Sequence, residues 1–209
     1  ALPAFAVDTP LASTVTDSVQ DCRVGTATNM PLIAWGADGV TIEANGGALT
    51  PGSGTFLDAG WTLNLAVKDD FAAQVSDFLK CESPFLRGTL GMLMAASPVT
   101  EADARTEQIV IYKHSWSAGD GIVAADGISN AADLAGKRIA VQAYGPHIDF
   151  VARILDDAGL SVDDVGPILV GDVPDLCLRV RGAAQEIPAQ AGIGGMDRLF
   201  WPDRTGCGI

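Results

Sequence analysis

The chain has 209 residues, 48% of them hydrophobic and 19% charged, a balance that excludes a generally disordered polymer and allows one good core or two small lobes. Lys and Arg total 13 against 26 Asp and Glu, for a net charge of -13. That excess disfavours a phosphate-tracking nucleic-acid surface and an anionic-membrane anchor, so no nucleic-acid partner is expected.

Residues 1–6, ALPAFA, have the small and apolar character of the end of a secretory signal, with Ala4 and Ala6 matching an A-x-A cleavage site before Val7. No other segment offers the roughly 20 apolar residues of a membrane-spanning helix. Export to the periplasm as a soluble protein is the expectation. Residues 7–24 are rich in Thr, Ser and Asp and read as a mobile leader.

Residues 30–35 then predict a first buried strand, closing in the turn Trp35-Gly36-Ala37-Asp38-Gly39. TIEANGG predicts a short helix stopped by Gly46 and Gly47, and the alternation over residues 61–67 predicts a second strand. Trp61 reads as core. Asp69-Asp70 supplies a helix start, after which Phe71, Val75, Phe78 and Leu79 fall on one helical stripe. Residues 85–94 predict a third strand and turn, residues 108–112 a fourth strand running into HSWSAGD, and residues 121–125 a strand crossing between lobes.

The stretch DLAGKRIAVQAYGPHIDF predicts a turn at Ala135-Gly136, a strand over residues 138–141 and a Tyr-Gly-Pro-His turn opening a helix over residues 148–158 that ends at Gly159. Gly145 admits close approach of a guest, Pro146 suits a first helical turn, and the free N–H groups there favour an acceptor. Strands alternating with helices imply an α/β fold with mostly parallel sheets, whose ligands collect at the carboxyl ends of the strands.

The run DLAGKRIAVQAYGPHIDFVARILDDAGLSVDDV resembles the start of the second lobe in periplasmic solute-binding proteins of ABC transporters, in particular the nitrate/taurine-like group. TNMPLIAWGADGVTIEANGG, SPFLRGTLGM and HSWSAGDGIVA resemble one branch of those proteins in the same order, so that residues 25–172 are covered. The resemblance implies a type II periplasmic binding-protein fold. Two α/β lobes, residues 25–122 and the start of a second at 123–172, would be joined by two crossings, with a small organic solute in the cleft between them. It also implies a monomer that hands its solute to ABC permease subunits in the membrane, the ATPase lying on other subunits. Only one crossing is visible, so the second lobe reads as incomplete. Residues 173–209 lose periodicity and hold Cys177 and Cys207, an atypical tail that suggests truncation or a translated frameshift and, as one reading, a nonfunctional remnant.

The turns expected to face the solute offer Trp35, Asp38, Arg87, Thr89, Ser115, Trp116, Ser117, Asp120, Gln142, Tyr144 and His147. These are recognition groups. Aromatic faces sandwich an apolar or cationic guest, hydroxyls and an amide orient it, and Arg87 pairs with a carboxylate or sulfonate. Each has a plainer alternative: Trp35 and Trp116 as core, Arg87 in a structural ion pair, His147 as a helix cap, and the glycines as turn formers.

No catalytic residue, metal or cofactor is expected. Ser115 or Ser117 with His147 and Asp120 or Asp149 holds the ingredients of a hydrolase relay, but no G-x-S-x-G elbow is present. His114, His147 and Asp149 match no strong metal spacing, and neither G-x-G-x-x-G nor a P-loop occurs. Cys22, Cys81, Cys177 and Cys207 show no C-x-x-C pair. In an oxidising compartment Cys22 with Cys81, or Cys177 with Cys207, could be bridged, and free thiols are equally compatible with the spacing.

Overall fold

The structure, a computed structural model, describes residues 10–115 and 121–170, with residues 167–170 described by their backbone. They fall into two bodies, one of residues 10–115 with Tyr144–Pro146, the other of Gly121–Ala143 and residues 147–170. Both are α/β with parallel strands.

In the first body β1 (Ala27–Leu32) pairs in parallel with β2 (Thr62–Val67), Ala27 opposite Thr62 and Leu32 opposite Val67. β1 begins and ends three residues earlier than the hydrophobic run alone predicts, because residues 33–35 already turn into a 3-10 segment at Gly36–Asp38. Between the strands lie two short helices, α2 (Gly39–Ala44) and α3 (Thr55–Asp58). Gly46 and Gly47 stop α2 with φ of +80° and +74°, a region costly for residues with a Cβ. Leu63 and Leu65 alternate inward and meet Leu32, with Met30, Ile42, Phe56 and Phe85 against them. Each such buried side chain stabilises the fold by about 2 kcal/mol. Trp61 does not join this core. It stands just before β2 and is 38% exposed, correcting its assignment from sequence.

Helix α4 (Phe71–Leu79) starts where Asp69-Asp70 predicts, with the Asp70 carboxylate accepting the Ala73 N–H at 3.1 Å. It buries Phe71, Val75 and Leu79 against Met92 and Ala96 of α5 (Leu90–Thr100). α5 corrects the strand expected over residues 85–94. Thr89 Oγ1 caps it by accepting the Met92 N–H, and the Leu, Met and Ala residues of LGMLMAAS are good helix formers that outweigh Gly91, with apolar residues all round, so the residues show no helical period. The fourth predicted strand is also absent. Residues 108–112 form no regular element and have no strand partner among the described residues, Ile109 82% and Ile111 77% exposed. Residues 121–125 form no strand either, and Val123 is 80% exposed.

The segment of residues 10–24 is mostly exposed but tied to the first body at a few points. Helix α1 (Leu11–Thr14) and the residue after it bury Leu11 and Val15 in the α4–α5 core, the Gln20 N–H donates to the Leu79 carbonyl at 2.9 Å, and Cys22 is bridged to Cys81. Its hydrophilic composition hides two apolar residues at i, i+4, which suffice to seat one helical turn. Residues 1–6, with the expected cleavage site, and the tail beyond residue 170, with Cys177 and Cys207, lie outside the described residues.

The second body repeats the strand–helix–strand order: β3 (Arg138–Gln142), α6 (Ile148–Asp157) and β4 (Gly166–Val170), the strands parallel with Arg138 opposite Gly166. α6 buries Val151, Ala152 and Leu155 against Leu134, Ile139, Val141 and Val165. Gly159, at φ +72°, follows its end as the sequence predicts.

Candidate functional site

At the carboxyl end of β1 the chain folds back on itself. The Asp38 carboxylate accepts the Ile33 N–H through Oδ2 at 3.1 Å, and Asp69 Oδ1 accepts the Ala34 N–H at 2.7 Å. These two bonds satisfy donors that the ended strand leaves free. They also place Asp38 beneath the turn, 2% exposed.

Two cationic or titratable side chains from distant segments meet that carboxylate. Arg87 Nε donates to Asp38 Oδ1 at 2.8 Å, and His114 Nδ1 lies 3.3 Å from the same oxygen. The Arg87 guanidinium also sits 5.2 Å from the centroid of the Trp35 ring, within cation–π range. Its backbone is fixed independently, because Gln74 Oε1 accepts the Arg87 N–H at 2.9 Å while Gln74 Nε2 donates to the Lys68 carbonyl at 2.7 Å. Arg87 Nη2 is buried and has no hydrogen-bond partner among the described residues. A buried donor left in that state costs about 1–3 kcal/mol, so an acceptor arriving there gains what the fold forgoes.

His114 completes the group. Its Nε2 is 3.1 Å from Thr41 Oγ1, and the Tyr112 ring packs edge-on against it with centroids 4.8 Å apart. A carboxylate beside Nδ1 favours the tautomer with its proton there, which leaves Nε2 to accept from the Thr41 hydroxyl. Burial lowers the His114 pKa, the Arg87 charge lowers it further, and Asp38 acts in the opposite direction. The imidazole is therefore neutral at neutral pH.

Three of the residues singled out in the sequence, Trp35, Asp38 and Arg87, thus come together. They do so in changed roles. Asp38 is shut from solvent and acts as the anchor, Arg87 is in the ion pair that the acid excess of the chain favours, and Trp35, 38% exposed, keeps part of its ring in solvent. Thr89 is the cap of α5. Ser115 is exposed, directly after His114. Trp116, Ser117 and Asp120 lie outside the described residues.

In the second body Gln142 is buried at the end of β3, and His147 precedes α6 as an exposed N-cap whose side chain makes no capping bond. Tyr144 groups with the first body. It adopts φ +55°, so the left-handed residue of the Tyr-Gly-Pro-His turn is the tyrosine rather than Gly145, and its hydroxyl lies 2.8 Å from Thr14 Oγ1. A non-glycine residue held in that region costs of order 1–2 kcal/mol, a strain that the surrounding contacts must outweigh. Asp149, in the first turn of α6, has its carboxyl pKa raised by burial.

His114 was missed in the sequence as a site residue. The available signal was position: one of only two histidines, two residues after the apolar run of residues 109–112 and before a serine, where a strand end would face a ligand. Thr41 and Gln74 carried none, since each lies inside a helix and looks like any polar helical residue. Among the described residues no cluster of His, Cys, Asp and Glu is able to hold a metal ion, and no helix is long and apolar enough to cross a membrane. Compared with protein-family models, with curated proteins and with solved structures, the chain matches none.

Proposed function

We propose that the chain is an extracytoplasmic solute-binding component of an ABC importer, built on a type II binding-protein plan, which takes up a small organic solute in the periplasm and presents it to permease subunits. One observation carries the reading. Trp35 and Asp38, three residues apart in one turn, are joined by Arg87, 49 residues beyond Asp38, at the carboxyl end of a parallel β-strand, where α/β proteins gather their ligands. The chemistry there suits recognition. Trp35 offers an aromatic face, the Arg87 guanidinium offers a donor for a carboxylate or sulfonate oxygen, Asp38 holds that guanidinium through Nε, and Gln74 fixes the Arg87 backbone. The two strand–helix–strand bodies are compatible with a two-lobed protein, and the acidic surface charge suits a freely diffusing carrier.

The test is a calorimetric and thermal-shift screen of the protein against small organic acids, amino acids and amines. A solute that raises the melting temperature, and whose effect is lost in Trp35→Ala, supports the reading. No binder in the screen, together with measurable turnover of an ester or amide, reverses it.

A second reading, a hydrolase, is favoured by one specific arrangement: Thr41 Oγ1, His114 Nε2, His114 Nδ1 and Asp38 Oδ1 follow one another at 3.1 and 3.3 Å across the ring, the order of a nucleophile–base–acid relay. Thr41 is only 4% exposed, which leaves little room for an acyl substrate. Of the alternative relay through Ser115 or Ser117, Ser117 lies outside the described residues. Labelling of Thr41 by a hydroxyl-reactive fluorophosphonate probe would favour the hydrolase.

A further inference from the structure

We infer that the Cys22–Cys81 disulfide is a redox-operated clasp, which holds residues 10–24 on the α4–α5 pair while oxidised and releases them when reduced. The bridge joins residues 59 apart in sequence, with Cα atoms 5.2 Å apart, and ties the segment near its end to Cys81, which follows the C-cap of α4. The contacts that remain without it are few. Helix α1 is a single turn, Leu11 and Val15 are the buried residues of the segment with Val19 half-buried against the same core, and the Gln20 N–H to Leu79 carbonyl bond is the backbone tie. The ion pair of Asp21 with Arg105 is exposed and contributes little. By contrast, Phe71, Val75, Leu79, Met92 and Ala96 pack on one another from α4 and α5, so the pair keeps most of its own core if the segment leaves.

The bridge is also within reach. Cys22 is exposed, and a polar hollow of about 240 Å³ is lined by both cysteines together with Arg23, Asn29, Asn64 and Glu82. An accessible disulfide that anchors a weakly held segment has the properties of a labile bridge rather than a buried staple. The step is thiol–disulfide exchange with a dithiol reductant. One reductant thiolate attacks a sulfur of the bridge, the S–S bond breaks, the second thiol resolves the mixed disulfide, and the reductant leaves oxidised with Cys22 and Cys81 as thiols. Release also removes Thr14 from the Tyr144 hydroxyl, so one candidate recognition residue loses a contact.

The experiment is hydrogen exchange with peptide-level mass spectrometry on the full chain, oxidised and after treatment with a dithiol, alongside Cys22→Ser/Cys81→Ser without reductant. The peptide covering residues 10–24 is expected to exchange about tenfold faster or more in both reduced and double-variant protein, while peptides of α4 and α5 keep their protection. Tryptic cleavage after Arg23 should accelerate in parallel. Unchanged exchange over residues 10–24 on confirmed reduction, read from alkylation of Cys22 and Cys81, would overturn the clasp. So would simultaneous loss of protection across α4 and α5, which would make the bridge a staple of the whole body.

Discussion

Arg87 and Asp38, 49 residues apart in the chain, form an ion pair with side chains only 11% and 3% exposed, Nε to Oδ1 at 2.8 Å. A pair this enclosed is held by mutual need: removing either partner leaves the other charged and desolvated. Asp38→Ala is therefore expected to destabilise the first body by about 3–5 kcal/mol. Replacing both, as Asp38→Leu with Arg87→Met, should cost markedly less than the sum of the single changes. Urea denaturation of the four proteins in a double-mutant cycle checks this, and additive losses would contradict it.

Protonation of His114 adds a pH dependence of definite sign. Its folded pKa is lowered, by burial first and by Arg87 second, so below the ordinary imidazole pKa of about 6.5 the unfolded chain takes up a proton that the folded chain resists. Stability contributed by neutral His114 is present in full above that pH and is lost as the pH falls from there toward the lowered folded value. Melting temperatures measured from pH 8 down to 5 should decline over the acid half of the range, and His114→Gln should flatten the decline. A variant with the wild-type slope would remove His114 as the cause.

Gln74 is buried and spends both ends of its amide on backbone groups, the Arg87 N–H and the Lys68 carbonyl. Gln74→Leu keeps the volume but strands both partners, an expected loss of about 2 kcal/mol or more. Because the Arg87 backbone is freed as well, the melting shift caused by any bound solute should shrink. Thr89→Ala, which removes only the cap of α5, should cost about 1 kcal/mol and leave solute affinity unaltered.

Gly54 and Gly60 both have positive φ, at +106° and +86°, yet only Gly54 is crowded: a Cβ there would lie 2.5 Å from the Gly46 nitrogen and 2.7 Å from the Ala44 carbonyl oxygen. Around Gly60 nothing lies within 4 Å of that position. Gly60→Ala should therefore cost about 1–2 kcal/mol of conformational strain. Gly54→Ala adds a backbone clash and should lower the melting temperature well beyond its counterpart. Equal losses would show that the loop between α2 and α3 yields freely.

The elements whose residues carry a period or a punctuation mark were legible. The alternation of Leu63 and Leu65, the i, i+4 spacing of Phe71 and Val75 after Asp70, and the Gly159 stop each reflect a local rule that tertiary packing leaves in force. Where the residues are apolar on every side, as from Leu90 to Ala96, strand and helix write the same pattern, and the Thr89 cap decides between them. Residues 108–112 look like a strand by composition alone, because pairing is a property of a neighbour that the segment does not encode. For the site, side-chain types marked Trp35, Asp38 and Arg87. That the acid would be closed off by the base, with His114 and Thr41 behind it, depended on the fold-back after β1, which no spacing announces.

The uncovered run Ile109-Val110-Ile111-Tyr112 has a consequence for the protein in concentrated solution. Four successive β-branched or aromatic side chains outside any helix or paired strand form a template onto which a second molecule can stack, and like charge is the force that keeps molecules from stacking. With a net charge of -13 at neutral pH that repulsion is strong, and it vanishes near the isoelectric point of about 4.3. Acidification toward that value should turn clear samples turbid, and placing a lysine at Ile111 should keep them clear.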